Sequence, residues 1–308
     1  TSGDDGASWD VSEPVSIAPL IWATPYARPV ELGHKIIMPV YGALSAADLE
    51  QTRLVCGSLQ STDGGQTWGD FSVVAGPDPN AEVSYEFPAM AALDDGPNAM
   101  LLAVVTARRL KARPQLPLDV QQTLMRAYSS DAGKTWSEPE NLCVGSWPNL
   151  ARMEDGTIAC SFAVWAGWGT MSVILSDDGL QTVRQLIPGS GFVNHGWLPG
   201  LDPSQWGGGW ARDPIPLPPV VPNLKGDWSA GHYGFSSILP LDRDHFMVAI
   251  GQRQRDQSDK ETPIELERIE TISIERIPAP PPAGPSGRHG EPRGQWYLAE
   301  RWSVEQWQ

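Results

Sequence analysis

Glu86, His232 and Tyr233 are the residues of this chain best suited to acid–base or nucleophilic work, and each has an aromatic neighbour in sequence. Glu86 follows Tyr85 in "YEFP", and His232 and Tyr233 are adjacent in "GHYGFSSIL". A second set supplies cations and rings: Arg28, Arg108, Arg109, Arg212, Arg253 and Trp147. Together the two sets suit an acidic sugar. Guanidinium groups clamp a carboxylate through paired hydrogen bonds, and aromatic faces cover the apolar side of a pyranose. The His and Tyr pair also suits elimination from a uronic acid, with one residue removing the C5 proton, another protonating the leaving oxygen, and an arginine neutralising the carboxylate.

These residues are scattered over most of the chain, so a repeated scaffold must gather them. Two repeats are visible. The first is a turn, Ser-x-Asp-x-Gly-x-Thr/Ser-Trp, at Ser2–Trp9, at Ser61–Trp68 and at Ser129–Trp136, with a worn copy at Ser176–Val183 in which Leu180 replaces the glycine and Val183 the tryptophan. Its Asp accepts hydrogen bonds from backbone N–H groups just downstream, its Gly supplies a positive φ, and its Trp packs across the base of the hairpin. The second repeat, at residues 26–42, 85–109, 146–167 and 233–254, reads as strand, tight turn, strand. "TRLVCGSLQS", "TLMRAYSS" and "TMSVILSD" add a third strand before an Asp turn, and "FSVVAG" or "PENLCVG" a fourth. Four antiparallel strands per unit make a propeller blade.

Composition points the same way. The chain has 308 residues with 31 Gly and 29 Pro, and it shows no long helical periodicity, which favours an all-β fold with many turns. No apolar run approaches the roughly 20 residues that span a membrane. A net charge of −15 argues against nucleic acid as a partner. Cys56, Cys143 and Cys160 fall in predicted strands without paired metal-ligand spacing, and read as small buried apolar residues. No cofactor or metal is expected.

The Asp turns, set between strands of the form x-P-x-L-x-x-D-G, resemble the sialidase-type (BNR, Asp-box) β-propeller superfamily from residue 2 to about residue 255. The resemblance implies one propeller domain over residues 1–308, six blades in the family and five within reach of this chain. The N-terminal blade is then incomplete, with residues 8–18 as its leftover strand. Residues 188–231 form a Trp- and Pro-rich insertion carrying Arg212, residues 277–294 a Pro-rich linker, and residues 295–308 a segment that closes the ring near the N-terminal strand. It implies a secreted or periplasmic location, an exo-acting hydrolase of acidic or complex glycans, and no membrane or nucleic-acid partner. A uronate lyase and a non-catalytic glycan-binding propeller are the alternatives on the same fold.

With the Asp turns on the lower face, the upper face is built just before the first strand of each unit, just after its second strand, and in the connections between blades. That places Tyr26, Arg28, Tyr41, Tyr85, Glu86, Arg108, Arg109, Trp147, His232, Tyr233 and Arg253 there, with arginines expected to converge on one point beside Glu86. Sialidases, by the resemblance, use an arginine triad, a glutamate-activated tyrosine nucleophile and an aspartic acid. Aligned on Ser236 and Ser237, Phe235 stands where the family has its tyrosine. Tyr233 lies two residues earlier, on the same side of an extended strand.

Overall fold

The computed structural model describes residues 4, 7–8, 15–76, 83–110, 122–164, 170–187, 236–253, 266–277 and 295–305. Among these, the regular structure is strand apart from one short helix, α1 (Ala46–Glu50). Four antiparallel sheets follow one another along the chain. In the first, β1 (Trp22–Pro25) and β2 (Val30–Leu32) both pair with β3 (Lys35–Ala43), followed by β4 (Val55–Ser61) and β5 (Gly69–Ala75). The second runs β6 (Val83–Ala92), β7 (Leu101–Arg109), β8 (Gln122–Ser129), β9 (Glu140–Val144). The third runs β10 (Ser146–Arg152), β11 (Ile158–Val164), β12 (Thr170–Ser176), β13 (Gln185–Ile187). The fourth runs β14 (Ser236–Pro240), β15 (His245–Arg253), β16 (Leu266–Ile277), β17 (Gln295–Glu305).

The core lies between successive sheets, which is why the second strands read as continuous apolar runs rather than alternating ones. In β7 every residue from Leu101 to Ala107 is buried. One apolar cluster joins the first and second sheets through Ile37, Met90, Leu101 and Val105. Another joins the second and third through Leu102, Leu124, Leu150 and Phe162. A third links Met153, Val173, Phe246 and Val248 across the third and fourth. Sheets stacked face to face around their inner strands make the fold β-propeller-like.

The Asp turns form as their sequence requires. Asp131 accepts from the Thr135 N–H at 2.9 Å and the Thr135 hydroxyl at 2.6 Å, while the Ser129 hydroxyl accepts the Gly133 N–H at 2.9 Å. Asp63 with Thr67, and Asp4 with Ser8, repeat the pattern. The worn copy keeps it too, with Asp178 bonded to Thr182. There Leu180 adopts φ of 66° in place of glycine, and its side chain is fully buried in the core between the second and third sheets. Apolar burial thus offsets a left-handed backbone.

Each later turn also latches onto the preceding sheet. The Gly133 carbonyl accepts from the Ser72 hydroxyl at 2.5 Å and from Gln60 Nε2 at 3.3 Å, and Trp136 Nε1 donates to Ser72 Oγ at 3.1 Å. Likewise Tyr128 donates its hydroxyl to the Gly179 carbonyl at 2.9 Å, and Arg126 donates to the Leu180 and Gln181 carbonyls.

Val15–Ala18, the described end of the anticipated N-terminal strand, is irregular, and residues 9–14 lie outside the described residues. Gln295–Glu305 pairs antiparallel with Leu266–Ile277 as the outer strand of the fourth sheet. The 188–231 insertion and most of the 277–294 linker lie outside the described residues.

Candidate functional site

Each inner strand begins at the upper end and runs down to its hairpin turn, and three of them carry an irregularity at the same level. The β6–β7 register steps from Glu86↔Thr106 to Ala89↔Val104, three residues against two. The β10–β11 register steps from Ser146↔Ala163 to Asn149↔Ser161, again three against two. In the first sheet the pairing passes from Pro25↔Val40 in β1 to Val30↔Ile37 in β2, five against three. The bulged residues Ala27, Phe87 and Trp147 have φ of 58°, 56° and 56°. A left-handed backbone at a bulky residue is unusual and costs on the order of 1–3 kcal/mol. Pro88 and Pro148 make it more so, because the residue before a proline favours extended backbone.

These bulges aim rings at one another across sheets. The Phe87 ring lies 5.3 Å from Tyr26, 5.1 Å from Tyr41 and 6.2 Å from Trp147, centroid to centroid, and Tyr41 lies 5.9 Å edge-on from Trp22. Trp147 is held further by its N–H, which donates to Thr106 Oγ1 of β7 at 3.1 Å. The result is a belt of rings spanning the first three sheets, each ring still partly exposed.

Glu86 sits beside this belt. Its carboxylate is buried, and Oε1 accepts from Ser84 Oγ at 2.9 Å, Arg108 Nε at 3.0 Å and Arg108 Nη2 at 2.5 Å. Oε2 accepts from Arg108 Nε at 3.2 Å. A buried carboxylate requires such a partner. Tyr41 is close enough for its hydroxyl to respond. Burial pushes that phenol upward, a hydrogen bond with Thr24 opposes the rise, and the Glu86 charge adds to it. Burial pushes the Tyr26 hydroxyl up as well. Both phenols therefore stay protonated at neutral pH and remain donors.

Arg28 lies elsewhere. It lines an axial cleft of about 670 Å³ together with Glu31, Met90, Asp94, Leu150, Arg152, Ile238 and Asp242 among others. In the first three sheets these residues follow the bulge along the inner strand, and neither Glu86 nor a ring of the belt lines the cleft. Arg152, on the cleft wall, pairs with Asp95 at 2.6 Å.

Of the residues singled out from sequence, the structure brings together Glu86, Arg108 and, through the belt, Trp147. Tyr85 is partly buried against the core between the first and second sheets, and its N–H donates to the Leu54 carbonyl at 3.0 Å. Arg109 ends β7, partly buried, and Arg253 ends β15. Arg212, His232 and Tyr233 lie outside the described residues. Sequence reasoning passed over Phe87 and Ser84. The aromatic–proline pairs Phe87-Pro88 and Trp147-Pro148, both at the start of an inner strand, were the available signal for Phe87. Among the described residues no group of three or more His, Cys, Asp or Glu is placed to hold a metal ion, and no helix is long and apolar enough to cross a membrane. Cys56, Cys143 and Cys160 are free thiols, buried, with their acidity suppressed by burial.

Comparison with known proteins bears on the fold. No family model matches the chain, and no curated protein does. Among solved structures, a protein of unknown function from Dyadobacter fermentans is 16% identical with a TM-score of 0.56, covering 88% of this chain and 61% of its own. A Hadza microbial sialidase is 16% identical with a TM-score of 0.50, over 89% of this chain and 46% of its own. A Trypanosoma rangeli sialidase bound to the inhibitor DANA is 10% identical with a TM-score of 0.50, over 89% and 37%. The chain therefore spans less than two thirds of the length of each, and at these identities the likeness is one of fold.

Proposed function

We propose that this protein is directed at glycans and works as an exo-acting glycoside hydrolase, binding a sugar at the upper end of the inner strands. The observation that carries the proposal is Glu86, a buried carboxylate clamped by Arg108 and Ser84 beside a partly exposed belt of aromatic rings. Rings that cover the apolar face of a sugar, next to an acceptor for its hydroxyls, are the two elements of carbohydrate recognition. Glu86 orients a sugar hydroxyl or the attacking water. His232 and Tyr233, adjacent in sequence just before β14, are the proposed proton donor and nucleophile or base. The likeness to sialidases and their fold supports a reaction of this class.

The Arg108 clamp favours a second reading, sugar binding without turnover, because both oxygens of the Glu86 carboxylate are already engaged by Arg108. One experiment separates them. A panel of chromogenic aryl glycosides is incubated with the wild-type protein and with Glu86→Gln, and aglycone release is compared with binding by titration calorimetry. Hydrolysis that falls by about a hundredfold or more in Glu86→Gln supports the hydrolase. Binding without release leaves the second reading, and the absence of both sinks the glycan assignment.

A further inference from the structure

We infer that the upper-end site takes an uncharged sugar, laid with its apolar face on the Tyr41, Phe87 and Trp147 rings with a hydroxyl donated toward Glu86 Oε2, and that it discriminates against carboxylated sugars. The inference rests on the glycan reading above and narrows its substrate class. Three observations carry it.

The first is the charge already matched at the site. Arg108 is engaged with Glu86 through both Nε and Nη2, so the pair is neutral as a unit. Besides the Nη1 N–H groups of Arg108, what it still offers a ligand is an acceptor: Oε1 receives three donors and Oε2 only the long contact from Arg108 Nε. A sugar hydroxyl meets that oxygen as a donor, whereas a sugar carboxylate meets it as a like charge. Of the other arginines expected to join it, Arg28 lines the cleft on the hairpin side, Arg109 ends β7 partly buried, and Arg253 ends β15. A chain of net charge −15 adds no attraction for an anion.

The second is where backbone strain has been placed. Phe87 and Trp147 take the same left-handed conformation at the same bulge in neighbouring sheets, and Ala27 repeats it in a third. Repetition at one level shows that the bulge is built into the scaffold, and bulges of this kind re-aim side chains. Trp147 touches the cluster between the third and fourth sheets, but Phe87 belongs to none of the four apolar clusters. Its described ring contacts are the aromatic ones, to Tyr26, Tyr41 and Trp147.

The third is the hydrogen-bonding character of the belt. Tyr41 remains a phenol, so it can donate to a ring oxygen or hydroxyl, and it brings no charge.

The test uses the intact chain and matched sugars that differ only at C6: methyl glucoside against methyl glucuronide, and methyl galactoside against methyl galacturonide, with methyl sialoside added. Binding is followed by saturation-transfer NMR and tryptophan fluorescence. At least one neutral member should bind about tenfold or more tightly than its uronate partner, the size of one unfavourable charge contact. Trp147→Ala should weaken that binding roughly three- to tenfold while Trp147→Phe restores most of it. Phe87→Tyr, which keeps the ring, should bind like wild type. A preference for the uronates or the sialoside would overturn the inference and leave the glycan reading standing. Neutral preference with no effect in a folded Trp147→Ala would remove the belt from the site. No binding by any sugar would fail the glycan reading itself.

Discussion

Replacing Ser72 with alanine should loosen the joint between the first and second sheets, because three hydrogen bonds end on one hydroxyl. Ser72 Oγ donates to the Gly133 carbonyl at 2.5 Å, accepts from Trp136 Nε1 at 3.1 Å and lies 2.9 Å from Ser58 Oγ. In Ser72→Ala the Gly133 carbonyl keeps Gln60 Nε2, but Ser58, fully buried, and the indole N–H lose their partner. A buried polar group left unpaired costs about 1–3 kcal/mol, and the half-exposed indole can recruit water, so the expected loss is about 2 kcal/mol. Each kcal/mol lowers the melting temperature of a large domain by about 2 °C, which puts the shift on the order of 4 °C. Trp136→Phe alone removes one donor and should cost about 1 kcal/mol. Because both changes delete the same bond, the double variant should be less destabilised than the sum by about 0.5 kcal/mol or more. The assay is thermal and urea unfolding of the four proteins in a double-mutant cycle. Strict additivity, or an unaltered melting temperature in Ser72→Ala, would refute the latch.

Two further outcomes follow from the Asp turns. Hydrogen bonds from the Thr67 and Thr135 hydroxyls and N–H groups hold Asp63 and Asp131 at about 2, down from an ordinary 3.8. Carboxylates depressed in this way contribute stability above pH 3.8 that is lost as pH falls through about 2, so an Asp131→Asn variant should melt below wild type at pH 7 and converge with it near pH 2; a gap independent of pH would count against the turn chemistry. Leu180→Ala should cost about 2–5 kcal/mol through the cavity it leaves, and Leu180→Gly should be the milder of the two by about 1 kcal/mol, since only glycine relieves the left-handed backbone while both lose the buried side chain; unfolding curves that rank them the other way would show that φ of 66° carries no strain.

The turns were legible because their chemistry is local. Ser61, Asp63 and Thr67 bond to one another within seven residues, and the motif locates the third strand that precedes it and the fourth that follows. Where the motif stops, so did the reading. Leu266–Ile277 is a twelve-residue strand rich in isoleucine, but no Asp turn follows it, and the Pro-rich stretch that does gave no register for the partner strand Gln295–Glu305. The latches were not legible at all. Ser72, Gly133 and Trp136 are more than sixty residues apart at the extremes, and nothing in a serine's neighbours announces that a turn from the next sheet will close on it.

Arg28 shows how a local irregularity redirects a functional expectation. In sequence, "YARPVEL" and "YEFPAMA" align, so Arg28 and Glu86 look like neighbours at the head of successive inner strands. The alignment assumes equal strands. The first sheet places four residues between Pro25 and Val30 against two on β3, while β6 places two between Glu86 and Ala89 against one on β7, and matching the left-handed residues sets Ala27 beside Phe87 and Arg28 beside Pro88. One step past the bulge residue Ala27, Arg28 lines the cleft on the hairpin side, which does not include the Glu86 carboxylate. The same device that gathers Tyr26, Tyr41, Phe87 and Trp147 therefore keeps Arg28 away from Arg108. A site built this way offers rings and an acceptor, and an anion would have to find its countercharge from residues other than these.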